Sequence, residues 1–170
     1  MSSAFIRQRI EAARSLLAAN PDQGRYSDKA ATATLEEGLR CRTRGPDATL
    51  VTDMASAFGG GDAGPSPGWV LRAALASCDA TLIAMRAAEL GVALTRLEVT
   101  VDSESDDRGL LGVDDRIPAG PLAVRARVRI SADGVGPERL RELVEWAEAH
   151  SPVADAVRRA VPTRTEIEPG

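Results

Sequence analysis

One long apolar segment limits the folds that this chain can adopt. It lies between a Ser-Pro turn and a glycine. The Ser-Pro pair at 66–67 can cap and begin a helix, and Gly91 can end it about 24 residues later. Three charged residues spaced seven apart form one narrow polar stripe, namely Arg72, Asp79 and Arg86. Because these charges interrupt the apolar run, the pattern predicts a buried central helix and not a membrane span.

The length and composition fit a single domain. A chain of 170 residues with 44% hydrophobic residues can build one core and has little room for two. The net charge of −4 gives no general attraction to nucleic acid. Charges near the N-terminus break any signal-peptide core, which predicts a cytoplasmic protein. Two cysteines and one histidine form neither a disulfide framework nor a metal site.

The periodicity of the remaining segments predicts an α+β fold around the central helix. An acidic, glycine-containing stretch at 102–120 is expected to be a mobile hairpin tip and not a calcium loop. The other predicted elements are helices at 3–19, 137–150 and 151–160, and strands at 31–36, 39–44, 49–52, 96–101, 122–130 and 163–167.

The second predicted strand alternates between two kinds of side chain. One face carries Leu39, Cys41 and Thr43, so Cys41 is predicted to face the core. The opposite face carries three arginines, Arg40, Arg42 and Arg44.

Several other patterns have simple structural explanations. The glycine-rich loop at 59–64 lacks the Gly-Lys-Ser/Thr of a phosphate-binding loop and is predicted to be a connector. His150 and Ser151 are adjacent at a helix junction, which indicates a helix end and not a nucleophile with its base. Alternating arginines at 125–129 indicate a solvated sheet face, not a nucleic-acid interface. The amphipathic helix at 3–19 is expected to pack on protein and not on a membrane.

Four short motifs together resemble the OsmC/Ohr family. They are Gly-Pro-Ser-Pro before the central helix, Ala-Ala-Leu-Ala-Ser-Cys within it, Gly-Val-x-Leu after it, and a late His-Ser-Pro-Val. The resemblance extends from about Leu39 to the C-terminus. It divides the chain into an N-terminal helical extension, residues 1–30, and an OsmC-like domain, residues 31–170.

The resemblance implies an intertwined homodimer, in which antiparallel sheets from both chains wrap a long central helix. It also implies thiol-dependent reduction of organic hydroperoxides with no cofactor and no metal. In this family, a first cysteine on the long helix is oxidised by the peroxide, and a second cysteine then forms a disulfide with it. An arginine and a glutamate hold and activate the first thiolate.

This chain matches the family's functional residues only in part. Cys78 matches the first cysteine, whereas Ser151 stands where the second cysteine is expected. The glutamate position falls on Gly68 or Trp69, so no carboxylate is present there. The candidates for the arginine are Arg40, Arg42, Arg44 and, on the central helix itself, Arg72.

Two functional hypotheses follow from this partial match. In the first, Cys78 reduces an organic hydroperoxide and an external thiol regenerates it, and Cys41 replaces the second cysteine only if it lies within about 7 Å of Cys78, Cα to Cα. In the second, the protein is a non-catalytic dimer that binds a small apolar ligand in a pocket at the dimer interface. An arginine guanidinium bonded to the Cys78 sulfur would favour the first hypothesis, and its absence would favour the second.

Overall fold

A computed structural model describes residues 2–170 and confirms the α+β fold with a long central helix. Its helices and strands are, in chain order, α1 (Ser3–Ala19), β1 (Thr32–Glu37), β2 (Arg40–Arg44), β3 (Thr49–Thr52), α2 (Pro67–Glu89), β4 (Leu94–Glu104), α3 (Asp107–Leu110), β5 (Ala123–Ala132), α4 (Pro137–His150) and α5 (Pro152–Arg158).

The strands form two separate antiparallel sheets. The first has the order β1-β2-β3, and the second is the hairpin of β4 and β5. Helix α2 packs against α1, α4, α5 and β4, so these elements form one body. The three-stranded sheet, in contrast, makes no extensive contact with any helix of residues 2–170, and every residue of β1 is exposed.

Helix α2 begins and ends at the predicted signals. The Ser66 hydroxyl accepts a hydrogen bond from the Trp69 amide, and a proline occupies the first turn. Gly91 follows the helix with a φ of 68°, a conformation that glycine adopts without steric cost. The buried side of the helix is lined by Leu75, Asp79, Ile83, Ala87 and Ala88.

The polar stripe of α2 lies on its packed side. Asp79 is only 3% exposed, and Arg72 and Arg86 are half-buried, whereas Trp69 and Leu71 are exposed. In length and composition α2 could cross a membrane. Its charges and its contacts with four other elements identify it instead as the core helix of this chain.

One predicted strand is wrong, and the bounds of the predicted hairpin tip differ from those observed. The strand predicted at 163–167 is absent, since this segment pairs with no strand of residues 2–170 and is exposed. The acidic stretch at 102–120 connects the two strands of the β4–β5 hairpin, as predicted, but β4 continues to Glu104 and α3 lies within the connection. A Cβ at Gly109 would lie 2.4 Å from the carbonyl oxygen of Pro118, so this connection is tightly folded.

Candidate functional site

The central contact of the candidate site joins Cys78 of α2 to the junction between α4 and α5. The Ser151 hydroxyl donates a hydrogen bond to the Cys78 sulfur, with Oγ and Sγ 3.2 Å apart. Ser151 is fully buried and caps α5, where its oxygen accepts the Ala154 amide at 3.2 Å. Because the start of α5 fixes Ser151, its hydroxyl is held against a half-buried thiol.

This contact defines what the pair can do chemically. A hydroxyl can donate a hydrogen bond to an anionic sulfur, either a thiolate or a sulfenate. It cannot form a disulfide, because it has no sulfur. The pair of Cys78 and Ser151 therefore provides one redox-active sulfur and one hydrogen-bond donor to it.

A small cavity lies near this pair, although neither Cys78 nor Ser151 lines it. We call it the Leu75 cavity; its volume is about 240 Å³. Leu75 precedes Cys78 by one helical turn, and Ala154 follows Ser151 by one turn. Its lining residues are Leu75, Val124, Ala126, Glu148, Ala154, Val157 and Arg158. Five of these seven residues are apolar, so the cavity can hold the organic part of a small molecule about one helical turn from the thiol.

The arginines of β2 bind a carboxylate of their own sheet. Arg42 donates two hydrogen bonds to Glu36, at 2.5 and 3.2 Å, and Arg40 pairs with the same carboxylate at 3.3 Å. The hydrogen bond from Arg42 lowers the pKa of Glu36 below its ordinary value. Within residues 2–170 of one chain, no arginine donates to the Cys78 sulfur. The catalytic roles of Arg40 and Arg42 stay a prediction.

The other candidates named from the sequence lie on β2 and α2. Arg44 is exposed at the end of β2, and Arg72 donates to the Ser103 hydroxyl at 3.2 Å. Cys41 is a half-buried free thiol on β2, in register with Leu35 and Thr52. Its role as a substitute second cysteine stays a prediction.

Sequence reasoning missed Asp53, which organises the loop before α2. Its buried carboxylate accepts the amides of Met54, Gly61 and Ala63 at 2.8, 3.0 and 3.1 Å. The hydrogen bond from Ala63, reinforced by the other two, lowers the pKa of Asp53 from 3.8 despite its burial. The resulting stabilisation is present above pH 3.8 and is lost as the pH falls through the lower folded-state pKa. The signal for this role in the sequence is an aspartate placed between a predicted strand and a glycine-rich segment.

His150 is positioned by its own helix. Its ring stacks on Trp146, with centroids 4.1 Å apart, and its Nδ1 donates to the Trp146 carbonyl at 2.7 Å. Two arginines contact the same indole ring, Arg86 at 4.6 Å and Arg14 at 5.9 Å from its centroid. Arg14 also pairs with Glu89, so these contacts attach α1 to α2 and α4.

The arginines of β5 are paired across the hairpin with carboxylates of β4. Arg125 and Arg127 lie 2.9 and 2.8 Å from Asp102, and Arg129 lies 2.6 Å from Glu98. These pairs neutralise much of the positive charge along the strand. No cluster of three His, Cys, Asp or Glu side chains within residues 2–170 could hold a metal ion.

Comparison with solved structures identifies the fold. An OsmC-like protein from Mycoplasma pneumoniae matches 79% of this chain and 89% of its own, with a TM-score of 0.66 at 14% identity. An organic hydroperoxide resistance protein OsmC from Legionella pneumophila matches 79% and 91%, with a TM-score of 0.58 at 18% identity. An organic hydroperoxide resistance protein from Elizabethkingia anophelis, with bound thiocyanate, covers 79% and 90% with the same TM-score and identity.

Sequence comparison identifies the family more directly than these structures do. No curated protein matches the chain. The family model described as OsmC-like protein, however, matches residues 59–166, from the glycine-rich loop through α5. This range holds both Cys78 and Ser151 and more than half of the sequence, and the predicted resemblance is thereby confirmed: the chain belongs to the OsmC-like protein family.

Proposed function

We propose that this protein is a thiol-dependent reductase of organic hydroperoxides that acts through Cys78 alone and is regenerated by an external thiol. The observation that carries the proposal is the 3.2 Å contact between Ser151 Oγ and Cys78 Sγ. It places a hydrogen-bond donor on the sulfur that would be oxidised, at the position where a second thiol would otherwise lie. Membership of the OsmC-like family and the adjacent Leu75 cavity support the same reaction.

The first step oxidises the thiolate of Cys78 by two electrons. The sulfur attacks the terminal oxygen of the hydroperoxide, the S–O bond forms and the O–O bond breaks. The products are a sulfenic acid on Cys78 and an alkoxide, which takes one proton and leaves as the alcohol. Ser151 donates to the sulfur before and after the attack, and the organic group occupies the Leu75 cavity.

The second step requires a thiol from outside the chain, because Ser151 cannot supply one. An external thiol condenses with the sulfenic acid, releases water and forms a mixed disulfide. A second external thiol attacks this disulfide and restores Cys78, leaving the external thiols joined as a disulfide. A low-molecular-weight thiol or a lipoyl protein has the required chemistry.

Mass spectrometry tests the proposed first step. The protein is treated with one equivalent of cumene hydroperoxide in the presence of a sulfenic-acid trap. We expect about one trap adduct per chain, located on Cys78, in the wild type and in Cys41→Ser. Cys78→Ser should carry no adduct and should consume peroxide at the uncatalysed rate. Unmodified Cys78 in the treated wild type would contradict the proposal, as would an adduct confined to Cys41.

We propose further that the active protein is a homodimer. The three-stranded sheet lacks extensive contact with its own helices, and exposed apolar side chains lie on it and on α2, including Leu35 at 64% and Trp69 at 52% exposure. Light scattering should give twice 17.9 kDa for the wild type. Trp69→Glu should shift the mass toward the monomer, and Tyr26→Glu, at a residue 82% exposed, should not. A wild-type monomer at micromolar concentration would exclude the dimer.

The second candidate function is binding without turnover. It is favoured by one observation, that no arginine among residues 2–170 donates to the Cys78 sulfur. In this case the Leu75 cavity would hold a small apolar ligand, and Cys78 would serve only as a packing residue. The same trapping experiment separates the two functions, since a binding protein would leave Cys78 unmodified.

A further inference from the structure

A second, larger cavity lies at the beginning of α2 and shares no lining residue with the Leu75 cavity. Its volume is about 470 Å³, within the range of sites for small molecules. We call it the Arg72 cavity, after its one arginine. Its apolar walls are formed by Met54, Phe58, Leu71, Leu110 and Pro121.

Arg72 differs from the other half-buried arginines of the described chain. Arg40 and Arg42 pair with Glu36, and Arg86 pairs with Glu89. Arg72 is half-buried as well, but no carboxylate of residues 2–170 lies within ion-pair distance of it. Within the described residues, the Arg72 side chain makes one hydrogen bond, from Nη1 to the Ser103 hydroxyl at 3.2 Å, which leaves most of its five N–H donors free.

The space beside the Arg72 guanidinium is open to the cavity. A Cβ at position 68 would lie 3.9 Å from Nη1, but the residue there is glycine and fills none of this space. Two carboxylates also line the cavity. Asp106 is held by Arg108, which lowers its pKa to about 2, and Asp107 is exposed at the start of α3. Neither neutralises Arg72, and a charge among apolar walls is costly without a partner.

We propose that the Arg72 cavity binds a small amphipathic carboxylate. The ligand's carboxylate accepts hydrogen bonds from the free guanidinium nitrogens, and its hydrocarbon chain lies along Leu71, Phe58 and Leu110. The apolar walls favour a ligand with a hydrocarbon part, and the guanidinium without an ion pair favours a carboxylate over an uncharged head group. This site is separate from the Leu75 cavity and does not depend on turnover at Cys78.

Isothermal titration with octanoate tests the assignment on the whole chain. Arg72→Gln should weaken octanoate binding by about tenfold or more, because it removes a charged hydrogen-bond donor. Arg72→Lys should retain part of the affinity, and Arg9→Gln, an exposed arginine of α1, should leave it unchanged. Octanol, which has the same chain length and no charge, should bind more weakly than octanoate and should be insensitive to Arg72→Gln.

Substitution of the residue that accepts the Arg72 hydrogen bond distinguishes a structural role of Arg72 from a role in ligand binding. Ser103→Ala removes the bond that Arg72 makes within the protein, so octanoate should bind this variant at least as tightly as the wild type. Weaker binding in Ser103→Ala, equal affinity in Arg72→Gln, or no octanoate binding at all would overturn the proposal. Cys78→Ser should bind octanoate normally, so failure of this proposal and failure of the peroxidase proposal are distinguishable.

Discussion

Ser151→Cys is expected to give the protein a disulfide between Cys78 and the new thiol after one equivalent of organic hydroperoxide. The Ser151 oxygen already lies 3.2 Å from the Cys78 sulfur, so a sulfur in its place has to approach by only about 1 Å to reach the length of a disulfide bond. Once Cys78 is a sulfenic acid, the neighbouring thiol condenses with it and releases water. Because the two groups are held together, this reaction should outcompete an external trap by about tenfold or more.

Thiol counting and peptide mapping under non-reducing conditions measure this change. We expect two thiols to be lost for each peroxide consumed, and the trap adduct on Cys78 to fall accordingly. Ser77→Cys is the matched control, because Ser77 is exposed and its hydroxyl donates to the Ala74 carbonyl of its own helix. Ser151→Cys should therefore form the disulfide, and Ser77→Cys should not. Persistence of both thiols in Ser151→Cys, or an undiminished adduct, would contradict the assigned geometry.

Local signals were sufficient to predict most elements of the fold. Helix α2 begins at Ser66 and Pro67 because a hydroxyl cap and a fixed φ act within one turn. Strands β2 and β3 were predicted within one residue because adjacent strands joined by short turns depend on neighbouring residues. The strand predicted at 163–167 failed for the opposite reason, since an isolated strand needs an edge that its own sequence cannot specify.

The orientation of α2 could not be predicted in the same way. Spacing by seven places Arg72, Asp79 and Arg86 on one side, but it does not determine which side packs against the rest of the chain. In the structure that side carries Leu75 and Ile83 and is buried, so the Asp79 carboxylate lies inside, with Oδ1 lacking a hydrogen-bond partner among residues 2–170. Helix packing is a property of two surfaces, and sequence periodicity describes only one of them.

For the candidate site as well, the residues could be predicted from the sequence, but the contact between them could not. The family resemblance supplied Cys78 and the position of Ser151, but the contact between them joins residues 73 apart and depends on the packing of α2 against α4 and α5. The Arg72 cavity could not be predicted at all. It is formed by the loop after β3, the first turns of α2 and the connection around α3, which have no common sequence pattern.

Gly60→Ala is expected to produce a large loss of stability. A Cβ at this position would lie 1.8 Å from the carbonyl oxygen of Met54 and 2.4 Å from its carbon. These are backbone atoms next to Asp53, whose carboxylate fixes the loop through the amides of Met54 and Gly61. The loop therefore cannot move away from the added Cβ without breaking its own hydrogen bonds. We expect a loss of about 3 kcal/mol in the free energy of unfolding.

Urea unfolding at fixed protein concentration measures the loss, and a second glycine provides the comparison. A Cβ at Gly45 would have no neighbouring atom within 4 Å, and the φ of Gly45 is not positive, so Gly45→Ala should change stability by less than about 0.5 kcal/mol. Gly60 also lacks a positive φ, so any difference between the two variants comes from the steric contact with Met54 and not from backbone strain. Equal midpoints for Gly60→Ala and Gly45→Ala would mean that the loop moves freely, and that the start of α2 does not depend on its close packing.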